Sequence, residues 1–256
     1  NKDGKFFGTL NLHTDITKRK EAEEALKKFE TARKKEIHHR IKNNLQVISS
    51  LLDLQAEMFK GRSNIKDSEV LNAFTVSMDR VLSIALIHEE LYKGENIDVL
   101  NFSEYIKKLT DNLLLTYRLE TDVNLNLDLE ENLFLDMDAA IPLGIIINEL
   151  VSNSLKYAFP ERDKGEIRIR LHRNEKEECI SSQKENKSNI CKRGGFILTV
   201  SDDGIGIPEN LDIENLNSLG FQLVTSLVDQ LDGEFELKRK NGTEFTMRFT
   251  VAEKVI

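Results

Sequence analysis

Two adjacent histidines interrupt an otherwise ordinary helical sequence. In KKEIHHRIKNNLQVISSLLDLQ, Lys34 to Gln55, His38 and His39 precede the cationic, amide-rich run Arg40, Lys42, Asn43 and Asn44. Around them Ile37, Ile41, Leu45, Ile48 and Leu52 recur at three- and four-residue steps and build one apolar helix face. Such a run is either a solvated face or the setting of a reactive imidazole. With an ordinary pKa of ~6.5, an imidazole is mostly neutral at pH 7 and keeps a nitrogen lone pair for attack on an electrophile. Neighbouring helical residues point ~100° apart, so the two histidines cannot share one task. Nor can they chelate a metal as an i, i+4 pair does.

Four further segments carry chemistry-bearing residues. In NELVSNSLKYAF, Asn148 to Phe159, the residues Glu149, Asn153, Lys156 and Tyr157 fall at i, i+4, i+7 and i+8 and share a helix face. The rest of that helix is apolar nearly all round. Buried polar groups need partners, so the strip points to a pocket. In LTVSDDGIGIPE a β-branched strand runs into Asp202, Gly204, Gly206, Ile207 and Pro208. Glycines permit close backbone approach or positive φ, and a carboxylate at a strand end can accept a hydrogen bond from an exocyclic amine. The segment lacks the third glycine of the dinucleotide fingerprint, and no Gly-Lys-Ser/Thr P-loop occurs. Ser218, Leu219 and Gly220 open a helix whose first-turn N–H groups can bind phosphate. Thr243 begins the last strand. Taken singly, the first three segments also read as a solvent-exposed polar face, a glycine-rich hairpin turn and an ordinary helix start.

The positioning elements follow from periodicity. Residues 1–15 alternate as strand. Thr17–Lys35 is rich in helix formers, with a narrow seam of Ala22, Leu26 and Phe29, and the helix runs on to about Met58 because no Pro or Gly interrupts it. Lys60–Glu69 is a turn, and a second long helix spans about Ser68–Tyr92 with a seam of Val70, Phe74, Met78, Val81, Ile84 or Ala85, and Ile87 or Leu91. Two long helices joined by a short loop make an antiparallel hairpin, which buries both faces by forming a dimeric four-helix bundle. The second half is mixed. Helices are expected at Phe102–Leu115, Leu143–Phe159 and Gly220–Leu231, and strands at Val123–Leu129, Gly165–Leu171 and Phe196–Val200. Glu234–Lys238 and Glu244–Val251 read as a strand pair joined at Asn241-Gly242. Residues 173–195 are polar and read as a mobile loop without chemistry. The element order suggests a sheet with helices on one face.

The 256 residues suffice for two or three modules. A net charge of −8 and no basic cluster argue against nucleic-acid binding. Cys179 and Cys191 form neither a disulfide framework nor a zinc site, which suits a reducing compartment and a cytoplasmic location. No apolar run approaching the roughly 20 residues of a membrane span is apparent, so no membrane segment is expected. The chain starts at Asn1 with neither an initiator Met nor a signal peptide, as expected of a fragment that has lost an upstream part.

In order and spacing the four segments resemble the ATP site of the GHKL superfamily of gyrase, Hsp-type chaperones, histidine kinases and MutL. The polar helix is similar to the N box, Asp202-x-Gly204-x-Gly206 to the G1 box, and Ser218-Leu219-Gly220 to a shortened G2 box. Together with HHRIKNNLQVISSLL, the chain resembles sensor histidine kinases of the His-Arg-x-Lys-Asn, HWE-like subgroup. HTDITKRKEAEEAL resembles the end of a PAS domain and the signalling helix after it. The fold so implied is α+β: a helical-hairpin dimerisation and phosphoacceptor domain, then a Bergerat α/β sandwich. The domains would be 1–15, the PAS end; 16–35, the linker; 36–97, the hairpin; and 98–256, the ATP-binding domain.

The resemblance also implies ATP and Mg²⁺, a homodimer, and a response-regulator receiver as partner. It implies that His39 is the phosphoacceptor, with Arg40 where an acidic neighbour is common and Glu36 as a substitute base. Asn153 would ligate Mg²⁺, and Glu149 would orient a water or act as base. Lys156 would reach phosphate, Tyr157 would line the nucleotide, and Asp202 would accept the adenine amino group. Gly204 and Gly206 would let the chain pass under the base, with Ile207 also binding the nucleotide. Ser218, Leu219 and Gly220 would cover the phosphates, and Thr243 would touch the adenine pocket through water. A GHKL-type ATPase or degenerate kinase serving as a partner-binding scaffold is the alternative. The segment between the two glycine boxes, PENLDIENLN, is short for an ATP lid.

Overall fold

A computed structural model describes residues 17–93, 99–117, 121–174, 191–208 and 219–254 of the chain. The strand and PAS end expected at residues 1–15, Ser218 and most of the segment 173–195 lie outside the described residues. The chain divides into two units, residues 1–50 and 51–256.

The first unit is helical throughout its described part, all of which belongs to α1 (Thr17–Glu57). His38 and His39 lie on this uninterrupted helix, as expected from a stretch free of Pro and Gly. Leu26 and Leu45, both in the expected seams, are exposed. The i, i+4 pair Arg19–Glu23, 3.0 Å apart and fully solvated, adds at most a few tenths of a kcal/mol, roughly.

The second unit is built on a seven-stranded sheet in the order β1-β3-β7-β5-β4-β2, with β6 on β7. The strands are β1 (Leu100–Asn101), β2 (Asp122–Leu129), β3 (Phe134–Leu135), β4 (Lys164–Arg173), β5 (Cys191–Asp202), β6 (Glu234–Lys238) and β7 (Thr243–Lys254). β2 runs parallel to β4, and the remaining pairs are antiparallel. Register explains the layering. Ile169 faces Val200 and Val200 faces Phe245; Leu171 faces Leu198 and Leu198 faces Met247. All six are buried, so the period of two puts one apolar face against the helices. The opposite face carries Arg168, Arg170, Thr199, Thr246 and Arg248, with Thr199 and Thr246 hydroxyls 3.3 Å apart. At the β6–β7 turn, Asn241 and Gly242 take φ of 60° and 98°, the conformation that the Asn-Gly signal requires.

Four helices belong to this unit: α2 (Asp67–Lys93), α3 (Phe102–Tyr117), α4 (Met137–Tyr157) and α5 (Leu219–Gln230). α4 packs on α2, α3, α5 and the sheet strands β5 and β7. Its start lies six residues before the expected Leu143. The Asp136 side chain caps it, accepting from the Ala139 N–H at 3.1 Å. Pro142 in the second turn removes one backbone donor without ending the helix.

Two other expectations need correction. Residues 191–195, taken as loop, pair with residues 250–254 as β5 and β7, while Arg173 closes β4. Backbone pairing across a hairpin supports strand even in a polar sequence. On α2, Phe74 and Met78 are not in the core; they are 63% and 62% exposed. The buried face joins Ile84, Ile87 and Leu91 of the expected seam to Ala73, Ser77 and Arg80. The helix is long and apolar enough by length and composition alone to cross a membrane, though Asp79 and Arg80 interrupt its apolar run. Here its apolar content is divided between this packed face and an exposed stripe of Leu71, Phe74, Met78 and Leu82.

Candidate functional site

Between α2, α4, the β5 end and the start of α5 lies a cavity of about 630 Å³, lined in part by Glu149, Asn153, Lys156, Tyr157, Asp202 and Gly206. Ile207, Leu219, Gly220 and Thr243 also line it. Thus the sequence-predicted residues of four separate segments, Gly204 and Ser218 aside, converge on one concavity. Gly204 lies beside it, and Ser218 falls outside the described residues.

Asp202 ends β5 and is the best-defined element of the site. Its Oδ2 accepts from the Ser154 hydroxyl at 2.8 Å. Its Oδ1 accepts from the N–H groups of Gly204, at 3.0 Å, and Thr243, at 3.1 Å. A carboxylate has about four acceptor positions, so these three bonds leave one, on Oδ2, for a donor arriving in the cavity. Ser154, which lies off the Glu149-Asn153-Lys156-Tyr157 strip of α4, is thus part of the site. A helix only ~10 Å across lets a neighbouring face reach a strand end that abuts it. The glycines of the loop meet protein backbone. A Cβ on Gly204 would lie 2.3 Å from the Ala158 carbonyl, which accepts from Ile205 N–H at 2.9 Å. Gly206 has φ of 75°, and its Cβ would come within 2.2 Å of the Arg239 carbonyl. The glycine spacing therefore seats the loop between the end of α4 and the β6–β7 turn.

The other wall is electrostatic. Glu149, on α4, is buried and held bidentately by Arg80 of α2: Nε donates to Oε1 at 2.6 Å and Nη2 to Oε2 at 2.9 Å. Asp79, beside it on α2, accepts from the Tyr117 hydroxyl at the end of α3. The Lys156 ammonium sits 4.9 Å from the Tyr117 ring centroid. Burial pushes the Asp79 carboxyl above its ordinary range, a rise that the Tyr117 hydrogen bond and the Lys156 charge partly oppose. Burial likewise lowers the Lys156 ammonium, opposed by Glu149 and Asp79, and raises the Tyr117 phenol. Asn153 and Tyr157 are exposed at the cavity edge, as members of a solvent-open lip.

Sequence reasoning missed Asp79, Arg80 and Tyr117. A signal did exist. In LNAFTVSMDRVLSIALIH, Asp79 and Arg80 are the sole Asp, Glu, Lys or Arg in eighteen residues, and charges so placed in an apolar helix require a buried partner.

No cluster of three or more His, Cys, Asp or Glu side chains among the described residues is arranged to hold a metal. The Asn153 amide on the cavity wall fits a different arrangement, in which an oxygen-seeking cation takes one protein ligand and draws the rest from phosphate and water.

Comparison with known proteins accounts for most of the chain. Residues 36–117 match the family described as "Histidine kinase", and residues 138–253 match "Histidine kinase-, DNA gyrase B-, and HSP90-like ATPase". The sensor histidine kinase PdtaS of Mycobacterium tuberculosis is 32% identical over 256 aligned residues, covering 98% of this chain and 46% of the relative. Blue-light-activated histidine kinase 2 of Erythrobacter litoralis is 24% identical over 209 residues, 80% of this chain and 52% of the relative. The chain therefore spans about half the length of the curated relatives it matches. Among solved structures, the histidine kinase domain of a blue-light-activated kinase from Erythrobacter litoralis superposes with a TM-score of 0.53 at 20% identity, over 80% of this chain and 95% of that one. At that identity the likeness establishes the fold.

Proposed function

This chain belongs to the histidine kinase family, and we propose on that premise that it is the catalytic core of a sensor kinase. In this reading it phosphorylates His39 with ATP and passes the phosphoryl group to an aspartate of a response-regulator receiver. The observation that carries the reading is the Asp202 carboxylate, fixed by three protein donors with one acceptor position left to the cavity. That position suits the exocyclic amine of adenine.

The remaining roles follow from placement in the cavity wall. Lys156 meets phosphate charge, and Tyr157 and Ile207 flank the base. Leu219 and Gly220 open α5, where helix N–H groups attract phosphate. Thr243 is tied to Asp202 through its backbone and stands beside the same carboxylate. Glu149 acts as base or orients a water. Asn153 would hold Mg²⁺, which would supply positive charge to offset that of the phosphates. Phosphoryl transfer requires mainly positioning and charge neutralisation, and this set of groups supplies both. The domain limits 1–15, 16–35, 36–97 and 98–256 divide the chain accordingly. A homodimer through the hairpin is supported by the exposed stripe of Leu71, Phe74, Met78 and Leu82 on α2, too regular at helical spacing for scattered surface residues.

The test is labelling with γ-³²P-ATP. Wild type should form an acid-labile, base-stable adduct, His39→Gln should form none, and an added receiver domain should take up the label. Undiminished labelling of His39→Gln sinks the acceptor assignment. Steady ATP hydrolysis by wild type with no phosphohistidine would replace the kinase with a partner-binding ATPase.

A further inference from the structure

One cation in the cavity wall comes from the helical hairpin. Arg80 lies on α2 and lines the cavity with its side chain only 2% exposed. Nε and Nη2 hold Glu149, but Nη1 is buried with no hydrogen-bond partner. A guanidinium carries five N–H donors and does not lose its proton. A buried donor nitrogen left unmatched is costly, and Arg80 lines the cavity, so an acceptor bound against its guanidinium would offset that cost.

Two further observations give that acceptor its chemistry. A Cβ on Gly220 would lie 2.6 Å from Glu149 Oε2 and 3.9 Å from Arg80 Nη2, so the ion pair abuts the N-terminus of the twelve-residue helix α5. Anions are favoured there by free N–H groups and the helix dipole. The supply of competing cations is also small. Among the described residues the cavity is lined by three, Arg62, Arg80 and Lys156. Arg62 is half-exposed and paired with Glu69 at 2.6 Å. Lys156 lies near Asp79 and Glu149, whose charges it already balances, and burial lowers its pKa.

We propose that Arg80 is the phosphate-binding arginine of this nucleotide site, supplied by the hairpin helix, with Glu149 as its counter-ion when no nucleotide is present. The unmatched Nη1 edge receives the terminal phosphate, and the anion takes over part of the charge that Glu149 balances. Glu149 is thereby released toward the cavity only when phosphate has arrived. The inference rests on the ATP-site reading above and adds to it that α2 is part of the phosphate site, so binding of a triphosphate fixes the hairpin helix against α4.

Calorimetry on the full chain with Mg²⁺, ADP and the imido analogue of ATP separates the cases. In Arg80→Met the affinity for the ATP analogue should fall about tenfold to a hundredfold, the worth of one charged hydrogen bond, with a much smaller change for ADP. Arg80→Met strands Glu149 as a buried charge, so the double variant Arg80→Met/Glu149→Gln carries the same measurement without that burden. Arg80→Lys should restore part of the preference for the analogue. In Glu149→Gln the guanidinium loses its competitor, and affinity for the analogue should rise. A folded double variant with the wild-type ratio of the two affinities overturns the proposal. Should both Arg80→Met chains fail to fold, unchanged or weaker analogue binding by Glu149→Gln overturns it. Wild type that binds neither nucleotide would instead refute the ATP-site reading itself.

Discussion

Replacing Asp202 by Asn separates folding from recognition in this site. Oδ1 accepts from two backbone N–H groups, Gly204 and Thr243, at 3.0 and 3.1 Å. An Asn side chain places its carbonyl oxygen there and keeps both bonds. Its amino group then occupies the Oδ2 position, where the Ser154 hydroxyl, now 2.8 Å away as a donor, can rotate and accept. The fold loses the charge assistance of three bonds, about 1–3 kcal/mol in total. For a chain of this size that is a fall in Tm of roughly 2–10 °C. The binding cost is different in kind. The one free acceptor position becomes a donor, so an adenine amino group meets another N–H with neither satisfied. A buried mismatch of this sort costs about 2–4 kcal/mol, or roughly 30- to 1,000-fold in Kd. The sign reverses for a base with a carbonyl at that position, so Asp202→Asn should favour ITP over ATP relative to wild type. Titration of both nucleotides against both proteins, with a thermal melt for each, reads out all of this. A folded Asp202→Asn chain with wild-type ATP affinity and an unchanged ATP-to-ITP ratio would show that this carboxylate does not read the base.

Gly206→Ala should cost more than ~2 kcal/mol, because φ is 75° and the new methyl would sit 2.2 Å from the Arg239 carbonyl; a melt should show the loss even without nucleotide. Asp79 has a folded-state pKa raised by burial, so it lowers stability as pH climbs from its ordinary value of 3.8 toward the raised one. Asp79→Asn, which still accepts from Tyr117, should therefore exceed wild type in stability by a margin that opens above pH ~4 and closes below it; denaturant titration at several pH values checks the sign. His88 has its pKa lowered by burial from 6.5, so wild type should lose stability as pH falls below that value and His88→Gln should show a flatter profile. Phe74→Glu with Met78→Glu places two charges on the exposed stripe of α2, and sedimentation should find a monomer with little change in Tm, since both side chains are more than 60% exposed.

The local content of this protein was legible because it is written in short-range patterns. An unbroken run of helix formers gives α1, strict alternation gives β2, and Asn-Gly gives the β6–β7 turn, each set by backbone preferences within a few residues. The lining of the cavity was legible for a related reason. Asp202, Gly206, Glu149 and Asn153 belong to segments whose polar or glycine positions conflict with their apolar surroundings, and the conflict is local. What only the tertiary structure decided is which distant groups satisfy those conflicts. The 69-residue separation between Arg80 and Glu149, and the 48 between Ser154 and Asp202, leave no periodic trace in the chain. The same holds for the face that α2 buries. Its apolar residues encircle the helix, so pattern alone put Phe74 and Met78 on one seam with Ile84, and the fold buried Ile84 with Ala73 and Arg80 while leaving Phe74 and Met78 exposed. Periodicity reports how many residues a helix must hide, whereas the surface that hides them is a property of the neighbour.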